Sequence, residues 1–76
     1  MGYGYSIRLI DLNKKADKQS LGVRLGKLCI KNNIPVAEVA TSFGVSRQTI
    51  YNWFIGATFP QPAFEESINE FINTLK

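Results

Sequence analysis

There is no histidine anywhere in the chain. That excludes Ser-His and Cys-His nucleophile pairs, and with them any imidazole metal ligand. There is one cysteine, so no internal disulfide can form. Cys29 falls among apolar positions of a helical stretch and reads as a small buried hydrophobe. A lone thiol also suits a reducing compartment, so a cytoplasmic location is expected. No stretch approaches the roughly 18 consecutive apolar residues of a membrane-spanning helix, and no secretory leader pattern opens the chain. No phosphate-cradling glycine motif occurs. Glu65, Glu66 and Glu70 are spaced like the solvent face of a helix, not like a carboxylate pair held in a cleft. The chain is therefore read as a non-enzyme, with no cofactor, metal, membrane or small-molecule substrate expected.

What is present fits one small domain of 76 residues, 45% of them hydrophobic. The net charge of +3 is unevenly placed. Residues 1–31 carry seven basic and two acidic side chains, a balance of +5, whereas residues 32–76 carry two and four, a balance of −2. An asymmetry of this sign can put a phosphate-binding surface towards the N-terminal side, although a solvated face would look the same. Met1 to Ser6 satisfies a loose N-myristoylation pattern, but the alternation of Gly and Tyr up to Tyr5 reads as a mobile start or arm.

Ser6 to Asn13 permits a short strand, a helix or an unfolded arm, and Lys14 to Gln19 is a polar connector. From Ser20, a natural N-cap, the period becomes helical: Leu21, Leu25, Leu28 and Cys29 form one stripe. Asn32 to Pro35 ends that helix. A short helix from about Pro35 to Ser42 turns Val36, Val39, Ala40 and Phe43 inward, and Gly44 breaks it. Ser46 caps a third helix that carries Ile50, Trp53 and Phe54 inward. Gly56 to Pro62 is a loop, followed by a helix from about Ala63 to Leu75 with Phe64, Ile68, Phe71, Ile72 and Leu75 as its stripe. The division expected is an extension over residues 1–19 and a helical domain over 20–76.

Residues 35–54 carry the functional signal. Two helices joined by a short turn must cross steeply if the second is to enter a groove. Ala40 supplies a small residue at the crossing, Gly44 accepts the positive φ of the turn, and Val39, Val45, Ile50 and Trp53 clamp the pair. With the continuation Trp53-x-x-Gly56-x-x-x-Pro60, the stretch from about Leu21 to Leu75 resembles the lambda-repressor/Cro-like (Xre-type) helix-turn-helix family. The resemblance implies an all-α bundle of four to five helices, binding double-stranded DNA in the major groove as a homodimer on a palindromic operator. Two departures stand out. Pro35 and Val36 replace the usual capping Ser or Thr and the following Gln, so a contact made by that Gln would be absent. Phe54 and Ile55 follow Trp53 where polar residues are usual.

With Ile50, Trp53 and Phe54 inward, about 100° per residue turns Gln48, Tyr51, Asn52 and Ile55 outward, with Arg47 and Thr49 at the flanks. Gln48 and Asn52 place two amides on one face, suited to adenine edges, and Arg47 suits guanine or a phosphate. Tyr51 offers a ring to a thymine methyl and a hydroxyl to a phosphate. Arg47, Gln48, Tyr51 and Asn52 are thus the expected base contacts. Ser46, Thr49, Lys27 and Lys31 are the expected phosphate contacts. Phe54, Ile55 and Phe59 are rich for a loop, and either lie under the last helix or form a dimer contact. Three functions fit: a small transcriptional regulator that occupies an operator, a DNA-binding accessory in recombination or packaging, and a helix-turn-helix that meets proteins instead of DNA.

Overall fold

Helix formation starts at Ser6, whose side chain accepts a hydrogen bond from the Leu9 amide at 3.1 Å and so satisfies one of the free donors of a first turn. The computed structural model describes residues 5–75, and in it this cap opens α1, Ile7–Lys15. Four further helices follow: α2, Leu21–Lys31; α3, Val36–Phe43; α4, Arg47–Ile55; and α5, Glu65–Leu75. A single 3-10 turn, Pro62–Phe64, leads into α5. The protein is all-α, with no strand among the described residues. None of these helices is long and apolar enough to cross a membrane.

The strand option over Ser6 to Asn13 fails because the buried residues recur every four positions: Leu9 and Asn13 share one face of the helix, and Tyr5 is buried just ahead of its cap. That face packs on α2 and α4, so the described part of the expected N-terminal extension belongs to the same core as the helices that follow. Of the expected mobile start, Met1 to Gly4 lie outside the described residues. Tyr5 does not behave as an arm: it is buried, its hydroxyl donates to the Ile34 carbonyl, and its ring lies 6.2 Å from that of Phe54.

In α2 the buried stripe is rotated from the expected one. Gly22, Val23, Leu25, Gly26 and Cys29 are closed off, while Leu21 and Leu28 sit half-buried at the margins. The glycines cause the rotation. A Cβ on Gly22 would stand 2.8 Å from the Cβ of Trp53 and 2.9 Å from its carbonyl oxygen, and one on Gly26 would stand 2.7 Å from Cγ of Phe54. Only hydrogen at those two positions lets α2 and α4 approach this closely. Ser20 occupies the N-cap position, but its hydroxyl makes no capping bond and lies buried without a partner. Asp17 instead accepts from the Gln19 amide at 2.9 Å, closing the turn before α2.

Three helices end alike. Asn33, Gly44 and Gly56 all have positive φ, 56°, 67° and 76°. The next residue then returns its amide to the turn before: Ile34 to the Cys29 carbonyl at 2.9 Å, Val45 to Ala40 at 3.1 Å, and Ala57 to Asn52 at 2.9 Å. These backbone hooks stop α2, α3 and α4 within a turn and set the directions in which the chain leaves them. The helix expected from Ala63 starts at Glu65, because Pro62 to Phe64 tighten into the 3-10 turn. Ile68 and Ile72 of α5 are buried, and its edge residue Phe71 meets Phe43 at 5.5 Å between ring centres.

Candidate nucleic-acid interface

The connection between α3 and α4 is Gly44, Val45 and Ser46. Nothing lies within 4 Å of a Cβ built on Gly44, so its glycine answers to backbone sign and not to crowding. Its amide donates to the Thr41 carbonyl at 3.2 Å. At Ser46 the chain is extended, and the side-chain oxygen accepts from the Thr49 amide at 3.1 Å. The turn thus stops one helix with a hook and starts the next with a hydroxyl cap, inside three residues. Of the expected clamp, Val39, Ile50 and Trp53 are buried where the pair meets and Val45 is half-buried, while the small Ala40 is buried at the crossing.

The inner side of α4 is held at several points. Trp53 is locked between Gly22, the Phe43 ring at 6.0 Å and the Phe64 ring at 5.3 Å. Phe54 rests against Tyr5 and Gly26. Asn13 Nδ2 donates to the Phe54 carbonyl at 2.6 Å and to the Val23 carbonyl at 3.2 Å. The first of these carbonyls lies in the last turn of α4, where no helical donor remains for it. One amide of α1 therefore ties the end of α4 to α2. No local pattern marks Asn13 as a polar residue, 1% exposed, at the centre of a helical core.

Held in this way, α4 turns its other side outward. Arg47 and Gln48 are exposed, and Tyr51 and Asn52 are half-buried. Gln48 Nε2 donates to Asn52 Oδ1 at 3.1 Å, so the two amides predicted to share a face do share it and are linked. Gln48 Oε1 and Asn52 Nδ2 have no partner among the described residues, leaving one acceptor and one donor side by side. Of the expected phosphate contacts, Ser46 and Thr49 stand at the start of α4 with their hydroxyls 2.9 Å apart, so both are engaged locally. The Thr49 amide is held by the Ser46 cap, while the Arg47 and Gln48 amides of the same turn remain open to an anion. Lys27 and Lys31 are exposed, but they point well away from the Gly22 and Gly26 side of α2 that packs on α4. The structure does not bring them to the outer side of α4.

Among the candidate dimer residues, Phe54 is excluded. It is fully buried within its own chain because the approach of α1 and α2 closes over it. Ile55 is half-buried, and Phe59 is 66% exposed in the loop after α4. A residue not singled out from the sequence, Arg8, stands with Ser6 and Leu12 of α1 across an open groove of about 360 Å³ from Gln48, Tyr51 and Ile55 of α4. No local pattern could have marked Arg8, since the groove exists only once α1 has docked. Cys29 is sealed in the core, where burial first and the Glu38 carboxylate second push its thiol up to about 12. It stays a neutral thiol near pH 7. No family model, curated protein or solved structure matches the chain.

Proposed function

We propose that the protein binds double-stranded DNA sequence-specifically, laying the outer side of α4 in the major groove and acting as a small regulator that occupies an operator. The observation that carries this reading is the α3–α4 unit. A left-handed glycine and a serine cap fall within one three-residue connection, and the second helix is clamped from behind while Arg47, Gln48, Tyr51 and Asn52 stand outward. A helix anchored on one side, with a polar, anion-tolerant start, is the element that major-groove docking needs. The linked Gln48 and Asn52 amides suit an adenine edge, and Arg47 suits a guanine or a flanking phosphate. The first turn of α4 carries no acidic residue to repel the backbone.

Two copies on a two-fold site would set their reading helices about 34–36 Å apart. Phe59, exposed in the loop after α4, is one apolar side chain available for such a pairing. The resemblance to lambda-repressor/Cro-like regulators supports the same reading.

Selection from random duplexes tests it, followed by titration at two salt concentrations of the parent chain and a triple variant, Arg47→Ala with Gln48→Ala and Asn52→Ala. Recovery of a palindromic site, with affinity lost in a folded triple variant, is the expected result. Salt-sensitive binding without an enriched site would replace the regulator by an architectural DNA-binding role. Absence of binding at low salt by folded protein would overturn the reading and leave α3–α4 as a protein-contact module.

A further inference from the structure

We infer that α1 is a second DNA-contacting element, and that the groove between α1 and α4 takes one deoxyribose-phosphate of the strand bordering the major groove, with Arg8 on the phosphate. This rests on the DNA-binding reading above and extends it to a helix outside the α3–α4 unit. Three observations support it. The groove is continuous with the proposed reading surface, because Gln48 and Tyr51 line it from α4 while Ser6 and Arg8 line it from α1. Among the described residues its only charged wall residue is Arg8, and neither α1 nor α4 has an acid in its first turn. Its floor and lower wall are Leu9, Leu12 and Ile55, an apolar surface.

A nucleotide backbone has that character: an apolar sugar ring beside an anionic phosphate. Arg8 is exposed and has no ion-pair partner among the described residues. The nearby carboxylate of the same helix, Asp11, is instead engaged by Lys15 at 3.0 Å. A free guanidinium on the rim can therefore meet a phosphate without first giving up a carboxylate. Exposed Leu12 and half-buried Ile55 would lie against the sugar, which accounts for apolar side chains left open beside a polar reading face.

A phosphate contact and a base contact differ in what they do to a binding curve. Removing the first lowers affinity by a similar factor on every sequence and lowers the slope of log affinity against log salt by about 1. The experiment titrates the parent chain, Arg8→Ala and Arg8→Lys on the selected site and on random duplex over a salt series, with thermal melts to confirm folding. Arg8→Ala is expected to weaken both duplexes equally and reduce the slope by about 1, while Arg8→Lys keeps the slope and the selected sequence stays the same. An unchanged slope in Arg8→Ala, with normal binding by the parent chain, would overturn the inference and leave the α4 reading intact. No duplex binding by the parent chain would overturn the reading on which both depend. A dimer of the parent chain that falls to monomer in Arg8→Ala would assign the groove to a second copy, and would also overturn the inference.

Discussion

Along its inner side α4 meets Gly22, Gly26, Asn13 and the Tyr5 ring at close range. Along its outer side Arg47 and Gln48 reach into solvent, and one polar bond, from Gln48 to Asn52, links side chains of that face. The inner side is specified by what cannot be added, since a single methyl at either glycine collides with α4. The outer side is specified only by what the helix leaves uncovered. Substitutions should therefore separate cleanly, those behind α4 acting through stability and those in front acting on the ligand. In a domain of 76 residues, whose whole stability is of the order of 5–10 kcal/mol, that separation is open to measurement.

The largest break comes from Phe54→Ala, which empties the space between α1, α2 and α4. Loss of about 3–5 kcal/mol is expected, enough to leave much of the chain unfolded, as urea titration followed by circular dichroism would register. Gly26→Ala comes next, at about 1–3 kcal/mol, because the new methyl meets the Phe54 side chain near its root, where the ring cannot swing clear. Asn13→Ala strips the donor from the Phe54 and Val23 carbonyls, and a loss of about 1–3 kcal/mol in the same titration would identify it as the tie between three helices.

Alkaline pH probes the inner side without mutation. Burial raises the Cys29 thiol from its ordinary 9.0 to about 12, with Glu38 adding to the push. Burial also raises the Tyr5 phenol above its ordinary 10.0, with Cys29 and Tyr51 adding to it. The unfolded chain gives up these protons before the folded one does. Stability should therefore be whole below about pH 9 and decline as pH climbs towards 12. Urea titrations at neutral and alkaline pH check this, and Tyr5→Phe should flatten the part of the decline above the ordinary tyrosine range.

The smallest effect on stability sharpens the contrast. Gln48→Ala with Asn52→Ala should stay within about 0.5 kcal/mol of the parent chain in urea. The same pair should cost roughly 1–3 kcal/mol of discrimination at one base pair of the selected site.

This contrast also explains what could be read in advance. The bounds of α3 and α4, and the inward set Ile50, Trp53 and Phe54, were legible because a period of 3.6, a capping serine and a turn glycine all act within a few residues. The amide pair at Gln48 and Asn52 followed from the same periodicity. Asn13 was not legible, because its role depends on two carbonyls supplied from ten and 41 residues away. Gly22 and Gly26 look locally like weak points in a helix, and only the backbone of α4 across from them shows why a side chain is excluded. Phe54 was drawn towards a dimer surface for a related reason: α1, which covers it, had no decisive pattern of its own. Arg8 is not legible in the sequence, because a groove between helices distant in sequence has no signature in either one.

The bridge made by Asn13 also bears on the order in which the chain folds. Its two acceptors, on Val23 and Phe54, become neighbours only after α2 and α4 have met, so the site that receives Asn13 does not exist in the unfolded chain. The order this bridge leads us to expect is α2–α4 pairing first, with α1 closing over a surface already made. In kinetic terms, mutations at Asn13 should accelerate unfolding while leaving the folding rate nearly untouched. The amides of α1 should likewise exchange with solvent through a lower-energy opening than those of α2. The helix that completes the core is thus the one best placed to come away from it.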